Sequence, residues 1–237
     1  MLFQSTNAIS GSPWRGSHVL ITAGPTQEAI DPVRYISNHS TGKMGYALAE
    51  ELAGRGARVT LVSGSTQLTP VHPGIQRVNV RSAAEMYDAC CRYFPQSDVA
   101  ILSAAVADYT PKVVAMTKIK KKDAEFSLEL VKTVDIAAEL GRQKRANQVM
   151  VGFALETDHE IENALKKLHS KNLDLIVLNS LQHDGAGFGH DTNQITLIDR
   201  QGRIDPFSLK TKRAVATDII DRLAALLTGR QPAAVFA

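Results

Sequence analysis

Short apolar runs alternate along this chain with segments whose apolar residues recur every three to four positions. His18 to Ala23 is a β-branched apolar run closed by Gly24-Pro25, and it predicts a first strand. Thr41 to Arg55 places Met44, Ala47, Leu48, Leu52 and Ala53 at helical spacing, with Gly54 and Gly56 ending the helix. Arg58 to Val62 and Gln76 to Val80 predict the next two strands. Ser82 to Phe94 reads as a helix capped by Ser82, with Glu85 three residues on as a capping box. Val99 to Val106 is the most apolar run, and its lack of alternation predicts burial on both faces, as in the middle of a parallel sheet.

The pattern then repeats with a strand at Gln148 to Phe153, a helix at about Asp158 to Ser170 and a strand at Leu173 to Leu178. Gln194 to Ile198 and Arg203 to Phe207 flank Asp199-Arg200-Gln201-Gly202, a hairpin signal, and a last helix covers about Thr211 to Leu227. Strand–helix alternation of this kind predicts an α/β fold: a Rossmann-like, doubly wound, mostly parallel sheet flanked by helices, with a C-terminal β-hairpin. No repeat or linker divides the chain, so residues 18–228 are expected to form one domain. Residues 1–17, polar and without periodicity, read as a loose leader or appended remnant, and 229–237 as a flexible tail. Tyr109 to Ala124 breaks the pattern as a long polar connection, and six lysines fall within Lys112 to Lys132. Such a connection inside a compact domain suggests a functional flap.

Composition removes several classes of function. A formal charge of +3 over 237 residues is too small to argue for nucleic acid. The two cysteines, Cys90 and Cys91, are adjacent and cannot staple distant parts of a fold or make a cysteine zinc site. No apolar run approaches the ~18 residues of a membrane span, and Met1 to Ser17 lacks the layout of a signal peptide, so a cytoplasmic location is expected.

Ligands of open α/β sheets bind beyond the carboxyl ends of the strands, so the loops there carry the candidate chemistry. Thr22 to Thr26 and Ser37 to Gly45 (SNHSTGKMG) are small, polar and glycine-containing, and the second opens a helix. Its N–H groups and hydroxyls suit an anion at the positive end of the helix dipole, although a simple helix cap would use some of the same residues. The run is not a P-loop, because Ser37 and Met44 stand where a glycine and a Ser or Thr are required. A dinucleotide fingerprint is also missing, since no G-x-G-x-x-G follows the first strand and Val62-Ser63-Gly64 lacks the ribose-binding acid. Asp108, after the buried strand, can accept from a sugar or base, hold a metal through water, or merely cap a turn. Lys118 to Lys122 (KIKKK) is either a solvated face or a group able to swing onto phosphates, and Lys167 and Lys171 share one helix face. No G-x-S-x-G elbow and no metal-type histidine spacing occur.

Taken in order, VLITAGPTQEAIDPVRYISNHSTGKMGYALAEELAGRGARVTLVSG, AAVADY, KIKK, VGFALET and KNLDLIVLN resemble the phosphopantothenate–cysteine ligase domain of bacterial coenzyme A biosynthesis. The similarity runs from about His18 to Leu227. It implies a two-step reaction in which 4′-phosphopantothenate and CTP form an acyl-cytidylate, and the amine of L-cysteine then displaces CMP. Mg2+ would accompany the triphosphate, and no flavin is expected in this chain. The resemblance carries Asn38 over as the residue handling the acyl group and Lys118 as the mobile lysine over the triphosphate. Gly24, Ser40, Thr41, Gly42 and Lys43 become phosphate or acyl contacts. Ala104, Asp108, Val134, Asp135, Ile136, Ala137, Phe153, Lys167 and Lys171 become nucleotide contacts.

Two departures are visible. Val134 stands where relatives often have proline, and Thr110-Pro111 precede Lys112 where a basic residue commonly follows AAVADY. Positive charge for the phosphopantothenate is then expected from Arg34. The resemblance also implies a homodimer, for which the closing hairpin offers strands, and a decarboxylase partner, fused or separate. A nicotinamide-dependent Rossmann reductase and a non-catalytic nucleotide-binding relative are the competing readings.

Overall fold

The computed structural model describes residues 12–120, 126–180 and 189–229. Its elements begin with β1 (His18–Ala23), β2 (Gln27–Ala29), β3 (Tyr35–Ser37) and α1 (Lys43–Gly54). There follow β4 (Arg58–Ser63), β5 (Ile75–Asn79), α2 (Ala83–Tyr93), β6 (Val99–Leu102), β7 (Tyr109–Pro111) and β8 (Leu130–Lys132). The chain continues through α3 (Ile136–Gln143), β9 (Val149–Glu156), α4 (Glu160–Ser170), β10 (Leu175–Ser180) and β11 (Thr192–Asn193). It closes with β12 (Ile195–Asp199), β13 (Ile204–Pro206), β14 (Lys210–Thr211) and α5 (Lys212–Thr228).

Eight strands make one sheet in the order β13-β12-β10-β9-β6-β1-β4-β5. The six from β10 to β5 are parallel, and β12 and β13 add antiparallel at one edge. The expected doubly wound sheet and closing hairpin are both present. Alternate residues of the strands feed two cores. Val19 and Ile21 of β1 face α1 and α5, where Leu48, Leu52, Val215, Ile219 and Leu223 are buried. Leu20 faces the other way, toward Met86, Leu140 and Leu168 on α2, α3 and α4. Burial on both faces explains why the central strands read as continuous apolar runs.

After β1 the chain winds outward to β4 and β5; after α2 it returns to β6 on the other flank of β1 and winds toward β10. This reversal between β1 and β6 opens a crevice at the carboxyl ends of the strands.

Four expectations need correction. The leader is not loose throughout: Trp14 is 1% exposed within the core on the α1 and α5 side. Ser12 donates to the Arg55 carbonyl and Ser17 to the Trp14 carbonyl, tying this turn to the end of α1. One aromatic residue does the anchoring, and a single residue has no periodicity to read. Residues 1–11 and 230–237 lie outside the described residues. Second, β6 stops at Leu102 rather than Val106, because Ser103 to Ala107 leave the ladder to bond with the loop after β1. Ala105 N–H donates to the Gly24 carbonyl at 3.0 Å, and Ala107 N–H to Thr26 Oγ1 at 2.9 Å. Third, α1 starts at Lys43, two residues late, because Gly42 adopts φ +81°. Fourth, α3 occupies a stretch to which the pattern assigns no element; Asp135 caps it by accepting from Ala138 N–H at 3.0 Å. Ser82 caps α2 as expected, while Glu85 accepts from Arg81 N–H.

Candidate functional site

The crevice holds two adjoining cavities that share Ala104 and Phe153 as lining. The larger, about 590 Å³, lies between the strand that follows α2 and the helices α3 and α4. Asp108 and the turn from Thr133 to Ala137 line one side, and Lys167 and Lys171 project from α4 and its end. Every residue expected to touch a nucleotide, apart from Lys118, therefore meets here.

Local packing explains that convergence. Gly141 of α3 lies so close to the chain at 171 that a Cβ would sit 2.1 Å from the Lys171 carbonyl oxygen. Gly152 similarly leaves room for Leu173, which a Cβ would approach to 2.5 Å. These contacts draw α3 and the end of α4 together, and Lys171 donates to Asp135 at 2.9 Å. Burial pushes the Asp135 carboxyl up, but the Ala138 N–H and the Lys171 ammonium outweigh it and hold it below the ordinary carboxylate value. Lys167 in turn donates to Glu156 at 2.5 Å. Lys167 and Lys171 thus both rest on carboxylates, and an incoming polyanion would compete for them.

The smaller cavity, about 150 Å³, lies under the loop before α1. Ser40, Thr41, Gly42 and Lys43 line it as expected, together with Ser103 and Ala105. Its shape depends on glycine. At Gly45 a Cβ would meet Ala23 Cβ at 2.5 Å and Ser103 Oγ at 2.7 Å, so α1 approaches β1 and β6 more closely than alanine allows. Gly42 and Gly24 both have positive φ and sit against one another. No side chain caps α1 at Gly42, so its first N–H groups are left for an anion or solvent.

Four expected residues line neither cavity, among them Gly24, which packs instead against Gly42 and Gly64. Asn38 stands at the rim, where its Nδ2 donates to the Ala105 carbonyl at 3.1 Å. Arg34 was expected to supply charge for a substrate phosphate, but its guanidinium grips Asp31 and also donates to the Ile119 carbonyl at 3.0 Å. Asp31 is 3% exposed and accepts from Ile119 N–H at 3.1 Å, so the carboxylate holds both Arg34 and the flap. Lys118 belongs to that docked segment and is absent from both linings. Lys121 and Lys122 of the same run lie outside the described residues.

Sequence reasoning missed part of the site. Lys132 and Thr133 face the large cavity, and Asn179, Asn193 and Lys212 face the small one. Asn179 had a legible signal: a polar residue at the carboxyl end of an apolar strand, which is where ligands bind such sheets. Lys212 had none, because nothing in its neighbourhood marks a helix start as part of a distant crevice. Among the described residues no group of three or more His, Cys, Asp or Glu side chains could hold a metal ion, and no helix is long and apolar enough to cross a membrane.

Comparison with known proteins agrees with this architecture. The family model for the DNA/pantothenate metabolism flavoprotein C-terminal domain matches residues 14–227. The chain is 55% identical over 225 residues to a protein of an unknown prokaryotic organism named cysteine/cysteine sulfinic acid decarboxylase, covering 95% of this chain and 63% of that one. It is 48% identical over 217 residues to the coenzyme A biosynthesis bifunctional protein CoaBC of Bacillus subtilis, covering 92% of this chain and 53% of that protein. Among solved structures, the C-terminal domain of a CoaBC protein superposes with a TM-score of 0.78 at 39% identity, covering 92% of this chain and 100% of that domain. The chain thus spans between about half and two thirds of the length of these curated relatives. On the match from Trp14 to Leu227, the chain belongs to the DNA/pantothenate metabolism flavoprotein C-terminal domain family.

Proposed function

We propose that this chain ligates L-cysteine to 4′-phosphopantothenate in coenzyme A biosynthesis, using CTP and an acyl-cytidylate intermediate. The observation that carries this reading is the pair of cavities meeting at Ala104 and Phe153. One has the volume of a nucleotide site and opposing lysines; the other is small, polar and set at a helix start. A reaction joining an acid to an amine through a nucleotide needs such adjoining compartments, so that the acyl group can be made in one and consumed at their junction.

In this mechanism the carboxylate of 4′-phosphopantothenate attacks the α-phosphorus of CTP, forming the acyl–phosphate bond and expelling pyrophosphate. The cysteine amine then attacks the acyl carbon, loses a proton, and expels CMP. Lys167 and Lys171 leave Glu156 and Asp135 to hold phosphate oxygens. The Thr133 to Ala137 turn faces the base, and Phe153 packs beside it. Asn38 handles the acyl oxygen from the rim. Lys118 reaches the triphosphate once the flap leaves Asp31. Mg2+ fits as an ion carried by the triphosphate, with Asp108 as a single carboxylate able to hold it through water; that ion would neutralise charge on the leaving pyrophosphate.

The reductase reading is disfavoured by the end of β4, where a Cβ on Gly64 would lie 2.2 Å from the Pro25 carbonyl oxygen. The loop after β1 packs directly against the end of β4, where Val62-Ser63-Gly64 offers no acid to hold a dinucleotide ribose. We further propose a homodimer. Its face is the exposed apolar side of the β2–β3 and β7–β8 hairpins, which carries Val33, Tyr35, Val113, Met116 and Phe126. The closing hairpin instead extends the chain's own sheet through β10. The name of the unknown prokaryotic relative raises cysteine decarboxylation as a second activity to assay, while CoaBC relatives are consistent with a decarboxylase partner and a cytoplasmic site of action.

The test is pyrophosphate release with Mg2+ and 4′-phosphopantothenate, comparing CTP with ATP, with and without L-cysteine. CTP-selective release sustained only with cysteine is expected. Carbon dioxide release from cysteine without nucleotide, or no release with either nucleotide from folded protein, would overturn the reading.

A further inference from the structure

The sheet has a second edge, at the amino ends of its parallel strands, and polar residues gather there. Leu20, Val62 and Val78 of β1, β4 and β5 pack into the core on the α2 side. Two residues earlier the same face of each strand carries a polar residue: His18, Thr60 and Gln76. Arg58, the register partner of His18, shares that face. α2 ends at Tyr93, beside this polar row, and the turn Phe94–Gln96 follows. The row and the end of α2 enclose a cleft of about 460 Å³, lined by these four polar side chains together with Tyr93 and Gln96. It shares no lining residue with either cavity of the crevice, which opens at the other end of the strands.

Part of the wall is fixed. His18 Nδ1 donates to the Gln96 carbonyl at 3.1 Å, and Nε2 lies 2.8 Å from Oγ1 of the buried Thr60. The remaining polar groups are uncommitted. Among the described residues, the Arg58 guanidinium, the Gln76 and Gln96 amides and the Tyr93 hydroxyl have no hydrogen-bond or ion-pair partner. No Asp or Glu lines the cleft, so Arg58 sets its sign. A guanidinium presents paired N–H donors that match a carboxylate or a phosphate. The Tyr93 ring offers a surface for a planar group. A volume of about 460 Å³ exceeds an inorganic anion and falls within the range of small-molecule sites.

We propose that this cleft binds a small organic anion, a planar ring bearing a carboxylate or a phosphate, with the anion on Arg58 and the ring against Tyr93. The inference is independent of the ligase reading, because the cleft lies outside the crevice on which that reading rests.

The test is amide NMR on the full isotope-labelled chain, read at Gly74, Ile75 and Gln76 in the cleft and at Ala137 and Gly152 in the large cavity. The probes are benzoate, phenyl phosphate and benzyl alcohol, which share a ring and differ in the anion. Saturable shifts from Gly74 to Gln76 are expected with benzoate or phenyl phosphate, at an affinity at least about tenfold above that for benzyl alcohol. The tighter of the two identifies the anion as carboxylate or phosphate. Arg58→Gln should remove the preference, and Arg58→Lys should retain only part of it, because an ammonium lacks the planar fork. Tyr93→Leu should weaken all three probes alike. Arg58 is exposed, so its variants are expected to keep the urea midpoint of the wild-type chain. Shifts confined to Ala137 and Gly152, equal affinity for all three probes, or an unchanged preference in Arg58→Gln would overturn the proposal.

Discussion

Asn38 shows how a single side chain can be placed by the fold rather than by its own neighbours. It follows β3, yet its amide donates to the Ala105 carbonyl, 67 residues away, on the wall of the small cavity. Ala105 N–H donates in turn to the Gly24 carbonyl, so the rim of the site is a chain of backbone groups that Asn38 completes. Removing a donor aimed at developing charge costs roughly 10²–10³ in rate in other enzymes. Asn38→Ala is therefore expected to slow formation of phosphopantothenoylcysteine by about a hundredfold, with a urea midpoint close to that of the wild-type chain. An unchanged rate in a product assay would remove Asn38 from the site. The same scale shows what Arg34 is tied to. Its sequence context offers a free cation, but Asp31, three residues earlier, is buried and takes the guanidinium.

At the scale of elements, the decisive unit is the turn between β2 and β3. Asp31 accepts from the N–H groups of Val33 at 2.8 Å, Arg34 at 2.9 Å and Ile119 at 3.1 Å, as well as from the Arg34 guanidinium. The guanidinium first, and then these N–H groups, hold its carboxyl well below the usual carboxylate range despite the opposing effect of burial. A carboxyl depressed on folding contributes stability above its unfolded pKa, and that contribution is lost as pH falls toward the folded value. Flap docking should accordingly be constant across neutral pH and weaken only below about pH 4. Asp31→Asn removes the charge at any pH. Trypsin cleavage at Lys118 and Lys120 at pH 8 should then accelerate by roughly tenfold, since charge-assisted bonds outweigh neutral ones. Cleavage at the wild-type rate would show that Asp31 does not hold the flap.

Considered as a whole, the molecule leaves several large apolar side chains exposed to water. Met116 is 89% exposed and Val113 75%, both on the segment docked against the β2–β3 turn, and Tyr35 of β3 and Phe126, in the connection between β7 and β8, are exposed as well. Apolar residues gathered on one side mark interaction surfaces in soluble proteins. In equilibrium sedimentation the wild-type chain is expected at twice the chain mass, and the double variant Val113→Glu, Met116→Glu at the mass of one. A dimer that survives both charges would place the interface elsewhere. Because the flap carries Val113 and Met116 as well as Lys118, the proposed dimer and the nucleotide step share one segment.

The periodicity of the chain was enough to predict strand–helix alternation, the doubly buried β6 and the Ser82 cap, because each depends on neighbours within a few residues. The glycine-rich loops and the lysines of α4 were legible for a related reason, since a parallel sheet sends all such loops to one edge. Tertiary structure alone decided that this edge holds two cavities, that Trp14 belongs to the core, that Arg34 and the flap meet at Asp31, and that Lys43 meets Asp191. Each of those outcomes pairs residues distant in sequence, and a pattern of polar and apolar positions states which face an element buries without stating what it is buried against.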